Sequence, residues 1–272
     1  TGQDISVGAP FFNLVFLPLI LPAVFLTGVS INLKWKLNTF EYILRKFWKI
    51  VLITLFLAII YLFIFEGPVL LFISIFLSIW IFVTVLNDFI NKLEFKNNRM
   101  GLNFRRVLNI NYSTYGMYIA HLGVALFILG VAISESEKKY FEGVLEVGQS
   151  IQLEKYKIVF EEIENKKINN WLSEIGNFSV SKKNDYSFKM SAERRIYLDT
   201  GMPSTEAAIK RNYFNHLYIV MGQEQPIKSG KRIIRVYYNP FIILIWLGAF
   251  IMALGGVVAL LEKRKKNKAL KK

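Results

Sequence analysis

The chain is 272 residues long and 53% hydrophobic, and its 34 Lys and Arg against 20 Asp and Glu give a formal charge of +14. Soluble globular domains rarely combine so apolar a composition with so large a charge, so the two properties belong to different parts of the chain: apolar residues in membrane spans, basic ones in the loops. With no cysteine there is no disulfide, thiolate metal site or cysteine nucleophile within these residues. Thr1, with no basic segment and cleavable apolar run behind it, reads as the start of a piece cut from a longer protein.

In chain order, five stretches approach the roughly 20 apolar residues a spanning helix needs: about 11–33, 48–65, 69–90, 112–133 and 241–261. Glu66-Gly67-Pro68 joins the second to the third so tightly that the pair should form an antiparallel hairpin. Orientation follows the Lys and Arg of the short loops. Lys34, Lys36, Arg45, Lys46 and Lys49 follow the first span, and Lys92, Lys96, Arg99, Arg105 and Arg106 follow the third. Seven more lie in the tail "EKRKKNKALKK", 262–272. With five spans, all three groups fall on one side, cytoplasmic or mitochondrial matrix, and the other side shows only Asp4 and Glu66. The tail then anchors on anionic lipid. Nucleic-acid binding is not called for, because the spans already account for the composition.

Residues 134–240 have a different character, with 17 basic and 14 acidic residues close to balance. Short runs such as "GVLEVGQSIQL", "KYKIVFEEI", "YSFKMSAE", "HLYIVMG" and "KRIIRVYY" are rich in Val, Ile, Tyr and Phe and partly alternate. The expected fold is five transmembrane α-helices with an extracytoplasmic β-rich domain inserted before the last one. The four-helix region is 1–133, the β domain 134–240, the fifth helix 241–261 and the basic tail 262–272.

Of two histidines, His121 lies inside the fourth span. On a helix it shares a face with Met117, Tyr118, Val124, Ala125 and Ile128, all apolar or amphipathic. Ionisable groups in lipid are costly and face a bundle interior or cavity. An imidazole with flat apolar surroundings suits haem iron, and it equally suits a hydrogen bond to a neighbouring helix. Periodicity alone favours the second reading. Gly116, Gly123 and Gly130 recur every seven residues on the opposite stripe, and Gly248 and Gly255 repeat the pattern in the last span; both read as close-packing helix seams. His216 has no ligand-bearing neighbours and reads as a surface or strand-end residue. Glu206, after Ser204 and Thr205, has the pattern of a helix-start cap or of a partner contact. No catalytic constellation stands out.

The residues also carry a resemblance. "ISVGAPFFN", "GMYIAHLGVALFILGVAIS", "NNWLSEIGNFSV", "SAERRIY", "MPSTEAAI", "HLYIVMGQ" and "IIRVYYNPFIILIWLGAFIMALGGVVAL" occur in order. Together they resemble the C-terminal half of the CcmF family, the large membrane subunit of the cytochrome c haem lyase. The resemblance implies a membrane protein that takes part in joining haem to C-x-x-C-H apocytochrome c. His121 stands at the family's A-H-x-G histidine, one of two axial ligands of a haem b, so the resemblance assigns it to haem iron, with Met117 and Ala125 as packing surface. The haem b is expected to pass an electron to haem delivered by its chaperone. The second ligand and a tryptophan-rich W-W-D segment are expected in a missing N-terminal half, lost by truncation or encoded separately. Trp35, Trp48, Trp80, Trp171 and Trp246 form no such cluster. His216 stands where the family has Asp, and Trp171 where it has Tyr.

Further expectations follow from the same resemblance. The partners are the missing half, the haem chaperone CcmE, CcmH/CcmI-type subunits, apocytochrome c and membrane lipid. The place is the bacterial inner membrane or its mitochondrial counterpart, and Arg194, Arg195 and Glu206 are candidate partner contacts. Two other classes are open: a non-catalytic membrane scaffold, and a transporter fragment in which Pro18 and Pro22 break the first span while Asp88 lies near the end of the third.

Overall fold

The computed structural model describes residues 9–33, 40–64, 67–93, 110–182, 186–226 and 229–269. It divides into two compact units, 1–132 with 244–272, and 133–243. Expected basic residues Lys34, Lys36, Lys96, Arg99, Arg105, Arg106, Lys271 and Lys272, and the acidic Asp4 and Glu66, lie outside the described residues.

The first unit is helical: α1 (Ala9–Val15), α2 (Leu17–Ser30), α3 (Phe40–Ile64), α4 (Val69–Lys92), α5 (Tyr112–Ser136) and α6 (Ile242–Ala269). Among the described residues, Val69–Lys92, Tyr112–Ser136 and Ile242–Glu262 are long and apolar enough to cross a membrane. Three helices rather than five therefore meet the requirement. The first expected span is two helices, because Pro18 has no amide to donate and its ring disturbs the preceding turn, breaking the ladder at Phe16. Pro22, also expected to break the span, lies inside α2 without ending it. Helix α3 begins earlier than the apolar pattern, with Glu41 and Arg45 paired at 2.6 Å across one turn. Helix α6 runs past the apolar stretch into the basic segment.

Trp80 of α4 organises the packing. Its ring stacks on Phe25 of α2 at 4.9 Å and meets Phe47 of α3 at 5.6 Å. Its indole N–H donates to the Phe25 carbonyl at 2.9 Å. Gly28 makes this possible, since a Cβ there would come within 2.7 Å of the indole Cδ1. Ser78 of α4 donates to the Ala125 carbonyl of α5 at 2.8 Å, a polar tie suited to lipid.

The second unit is a β-sandwich. Strands β1 (Lys139–Leu145), β9 (Arg232–Pro240), β8 (Asn215–Glu224) and β7 (Ala208–Arg211) form one antiparallel sheet in that order. Strands β2 (Ser150–Leu153), β3 (Tyr156–Ile168), β4 (Trp171–Lys182), β5 (Tyr186–Tyr197) and β6 (Pro203–Glu206) form the other. Alternate residues point inward, as a strand requires: Tyr156, Ile158 and Phe160 from β3 meet Leu217, Ile219 and Met221 from β8, and Ile234 and Val236 from β9. Phe160 and Phe178 stack at 4.9 Å, both fully buried. Bulges after Phe160 in β3 and after Met221 in β8 shift the register.

Candidate functional site

His121 is held by its own helix. Nδ1 lies 2.7 Å from the carbonyl of Met117, one turn earlier. The only partner that geometry permits is Nδ1–H donating to the oxygen, which leaves the lone pair on Nε2. Among the described residues Nε2 has no hydrogen-bond partner. The ring is half-buried, and Met117, Leu122, Val124 and Ile128 beside it pack against the apolar cluster that contains Trp80, Tyr118 and Ala125. An imidazole engaged through Nδ1, with no hydrogen-bond partner for Nε2 among the described residues and with apolar neighbours, fits the needs of an iron ligand, and the Nδ1 bond supplies the orientation such ligands are usually given by a second group. The helix-to-helix hydrogen bond, the other reading of this residue, is not formed by Nδ1.

One turn away is a feature the sequence did not single out as a unit. Tyr118 donates its hydroxyl to Asp88 at 2.6 Å. Asp88 also pairs with Lys92 at 2.8 Å, and the Lys92 ammonium lies 5.1 Å from the Tyr118 ring centroid. The acid of α4 is thus neutralised within its own neighbourhood, which is how a charge near a span is tolerated. Asp88 therefore has a structural employment, and the sign of a transporter site loses its force.

The opposite stripe of α5 is the expected seam. A Cβ on Gly116 would fall 2.5 Å from the Gly255 carbonyl oxygen, and one on Gly123 would fall 2.6 Å from the Met252 nitrogen. Backbones of α5 and α6 touch along this line, so the glycine face of α5 is committed to close packing, while the His121 face packs partly against α4 and leaves the ring half-buried.

In the sandwich, Arg194, Arg195 and Glu206 are brought together on β5 and β6, where Arg194 pairs with Thr205 and Glu193 with Glu206 in register. All three are already engaged. Arg194 reaches Glu174 at 3.2 Å, and Arg195 reaches Glu193 at 2.7 Å and Glu206 at 3.5 Å. Glu193 also accepts from Ser173 at 2.6 Å and Trp171 at 3.3 Å, and Arg195 lies over the Trp171 ring. The Arg195 hydrogen bond, more than these other donors, holds the Glu193 carboxyl down to about 2. The helix cap read at Glu206 does not exist: the residue ends strand β6, because β5 offers an edge for pairing there. His216 is at a strand end as expected but buried rather than on the surface; burial, then nearby Arg211, lowers its pKa. Among the described residues no group of three or more His, Asp or Glu could hold a metal ion.

Apolar helices with one intramembrane histidine, joined in sequence to a β-sandwich that precedes the last helix, define a membrane protein with a β-rich domain. Residues 137–240 match the family model described as the CcmF C-terminal beta-sandwich. The chain is 28% identical over 272 residues to the cytochrome c-type biogenesis protein CcmF of Pseudomonas aeruginosa, covering 98% of this chain and 40% of that protein. It is 28% identical over 267 residues to CcmF of Escherichia coli, covering 97% and 39%. The solved structure of a cytochrome c heme lyase CcmF superposes with a TM-score of 0.68 at 19% identity, over 93% of this chain and 40% of that one, which establishes a shared fold. The resemblance read from the motifs is borne out: over nearly its whole length the chain is similar to the C-terminal part of CcmF. It spans about 40% of the length of the relatives it matches.

Proposed function

We propose that the chain is the C-terminal part of a cytochrome c haem lyase in which His121 holds one axial side of a b-type haem through Nε2. The observation that supports this reading is the 2.7 Å contact of Nδ1 with the Met117 carbonyl, which makes Nδ1 the donor and leaves Nε2 as the nitrogen for the iron. Haem held there would supply one-electron redox chemistry, tuned by the ligand and by burial. His121 contributes an oriented neutral nitrogen, and Met117, Ala125 and Ile128 keep water from it. The haem to be attached is substrate: each thiol of a C-x-x-C-H apocytochrome adds across one vinyl group, the sulfur taking one carbon and the proton the other. Both thiols come from the apocytochrome, in keeping with a chain that has no cysteine.

In this reading the second axial ligand and the haem-handling tryptophans belong to the N-terminal part of the family's longer proteins. The bacterial inner membrane is crossed by α4, α5 and α6, which meet the length and hydropathy requirement, and in this reading by the other two apolar segments as well, with the sandwich on the outer side. The chaperone CcmE and CcmH/CcmI-type subunits meet the sandwich. Because Arg194 and Arg195 are held by Glu174 and Glu193, the half-exposed Glu206 is the member of that group best placed to meet a partner.

The test is a reduced-minus-oxidised visible spectrum of the chain purified with a co-expressed N-terminal half, wild type beside His121→Ala. A b-type signal present in the first and absent in the second is the expected result. A colourless wild type supplied with haem, or an unchanged variant spectrum, would return His121 to helix packing.

A further inference from the structure

The second unit gathers aromatic and basic side chains at one end. Strand β1 begins at Lys139, just after α5 ends at Ser136, and β9 ends at Pro240, just before α6 begins at Ile242. The two strands are neighbours, with Lys139 opposite Tyr238. The β7–β8 turn is drawn to the same place: Asn215 pairs with Pro240, and the Phe241 amide donates to the Phe214 carbonyl at 2.7 Å. Tyr213 and Phe214 in this turn are 86% and 70% exposed, although aromatic rings are costly to leave in water. Tyr140 is exposed beside Tyr237. Lys139, Arg211 and Lys182 are exposed at the same end, the last opposite Tyr156, whose hydroxyl bonds to Asn215. At the far end, beside the Asn169–Asn170 and Thr200–Met202 turns, Trp171, Tyr197 and Arg195 also meet, but they are half-buried against one another rather than exposed.

We propose that this end of the sandwich is a lipid-docking surface. The Tyr213-Phe214 turn lies at the headgroup–acyl boundary of the leaflet that α6 enters, and Lys139, Lys182 and Arg211 meet lipid phosphates. The level is set by the chain itself. The apolar spanning stretch begins at Ile242, so Phe241 is at the water–lipid border. A turn hydrogen-bonded to Phe241 is about one strand spacing, roughly 5 Å, away from it. Aromatic residues collect at that depth because one edge is apolar and the other tolerates water, and basic residues near it gain from anionic headgroups. The docking fixes the sandwich's attitude to the membrane. It rests on α6 crossing the bilayer and not on the haem reading.

The absence of cysteine allows a direct test. Single variants Tyr213→Cys, Phe214→Cys, Met202→Cys and Gly256→Cys are made in the whole chain, spin-labelled, and reconstituted into nanodiscs of phosphatidylcholine with or without phosphatidylglycerol. Gly256 has open space around it, and Met202 is exposed at the far end. Collision with oxygen, which partitions into lipid, is compared with collision with a water-soluble nickel chelate. The expected oxygen-to-nickel ratio is highest at Gly256, several-fold above Met202 at Tyr213 and Phe214, and raised further at the turn by phosphatidylglycerol. Ratios at Tyr213 and Phe214 equal to that at Met202 would overturn the proposal. So would labels shielded from both reagents, which would mean that protein covers the turn. A water-exposed label at Gly256 would remove the span, and the proposal with it, while leaving the haem spectrum of His121 to be judged separately.

Discussion

The sandwich and the helical region bury their apolar residues in opposite ways. In the sandwich, Phe160, Phe178, Val180, Leu217, Ile219, Met221, Ile234 and Val236 are all fully buried, in a core that two sheets close within this chain. In the helical region one band around Trp80 is buried, while Leu14, Leu19, Phe56, Phe63, Trp246, Phe250 and Leu260 face outward. Water would not permit such a surface, and lipid does. The difference teaches where chemistry has room. A closed core has no vacant side for a ligand, whereas a helix such as α5, packed on its glycine stripe and only half-covered at His121, presents a histidine that another body can complete.

The largest expected effect would break the sandwich half of that contrast. Phe178→Ala removes a ring stacked on Phe160 at the centre of the closed core, and such truncations cost about 3–5 kcal/mol. Amide exchange on the whole chain should show protection falling in β3, β4 and β8 while α4 and α5 keep theirs. Equal losses in both regions would mean that the two do not hold separate cores.

The helical half is tested at its seam. A leucine at Gly123 must push apart backbones that a single Cβ would already bring to 2.6 Å, and overpacking of this kind costs about 3 kcal/mol. Gly256→Leu, beside the seam but facing open space, should cost almost nothing. Melting of both variants in detergent checks this. If they fall together, close approach along the seam is not what sets the requirement for glycine here.

How much of this was legible in the sequence differs by region for the same physical reason. A hydropathy pattern reports contact with lipid, so the segments that became α4, α5 and α6 could be read directly. It does not report helix outside lipid, so α3 was read without its first turns, which the Glu41–Arg45 pair supports, and α6 without its basic continuation. Alternation revealed a β-rich domain but not its pairing or its strand ends: the strand read at "YSFKMSAE" runs on to Tyr197 as β5, and the stretch after Met202 that resembled a helix start is edge strand β6. Residue identity and spacing brought His121 into view, and so did its family position. Its bond to the Met117 carbonyl depends on a rotamer, and no sequence displays that.

The smallest expected effect sharpens the comparison at the sandwich surface, where charge rather than packing acts. Glu193 accepts hydrogen bonds from Arg195, Ser173 and Trp171, and these hold its carboxyl at about 2 instead of 4.5. Because the folded value lies below the unfolded one, the charged form stabilises the fold above pH 4.5, and that contribution is lost as pH falls from 4.5 through 2. Glu193→Gln keeps the shape and removes the charge, so it should lower the melting temperature slightly at pH 7 and flatten its decline across that acid window. Other carboxylates in the sandwich will still titrate, so the informative quantity is the difference between wild type and variant. A difference that shrinks towards zero by pH 2 supports the assignment. One that stays constant from pH 7 to pH 2 would mean that the carboxylate charge is not what Glu193 contributes, since a loss that does not follow its titration comes from how the amide replaces its hydrogen bonds.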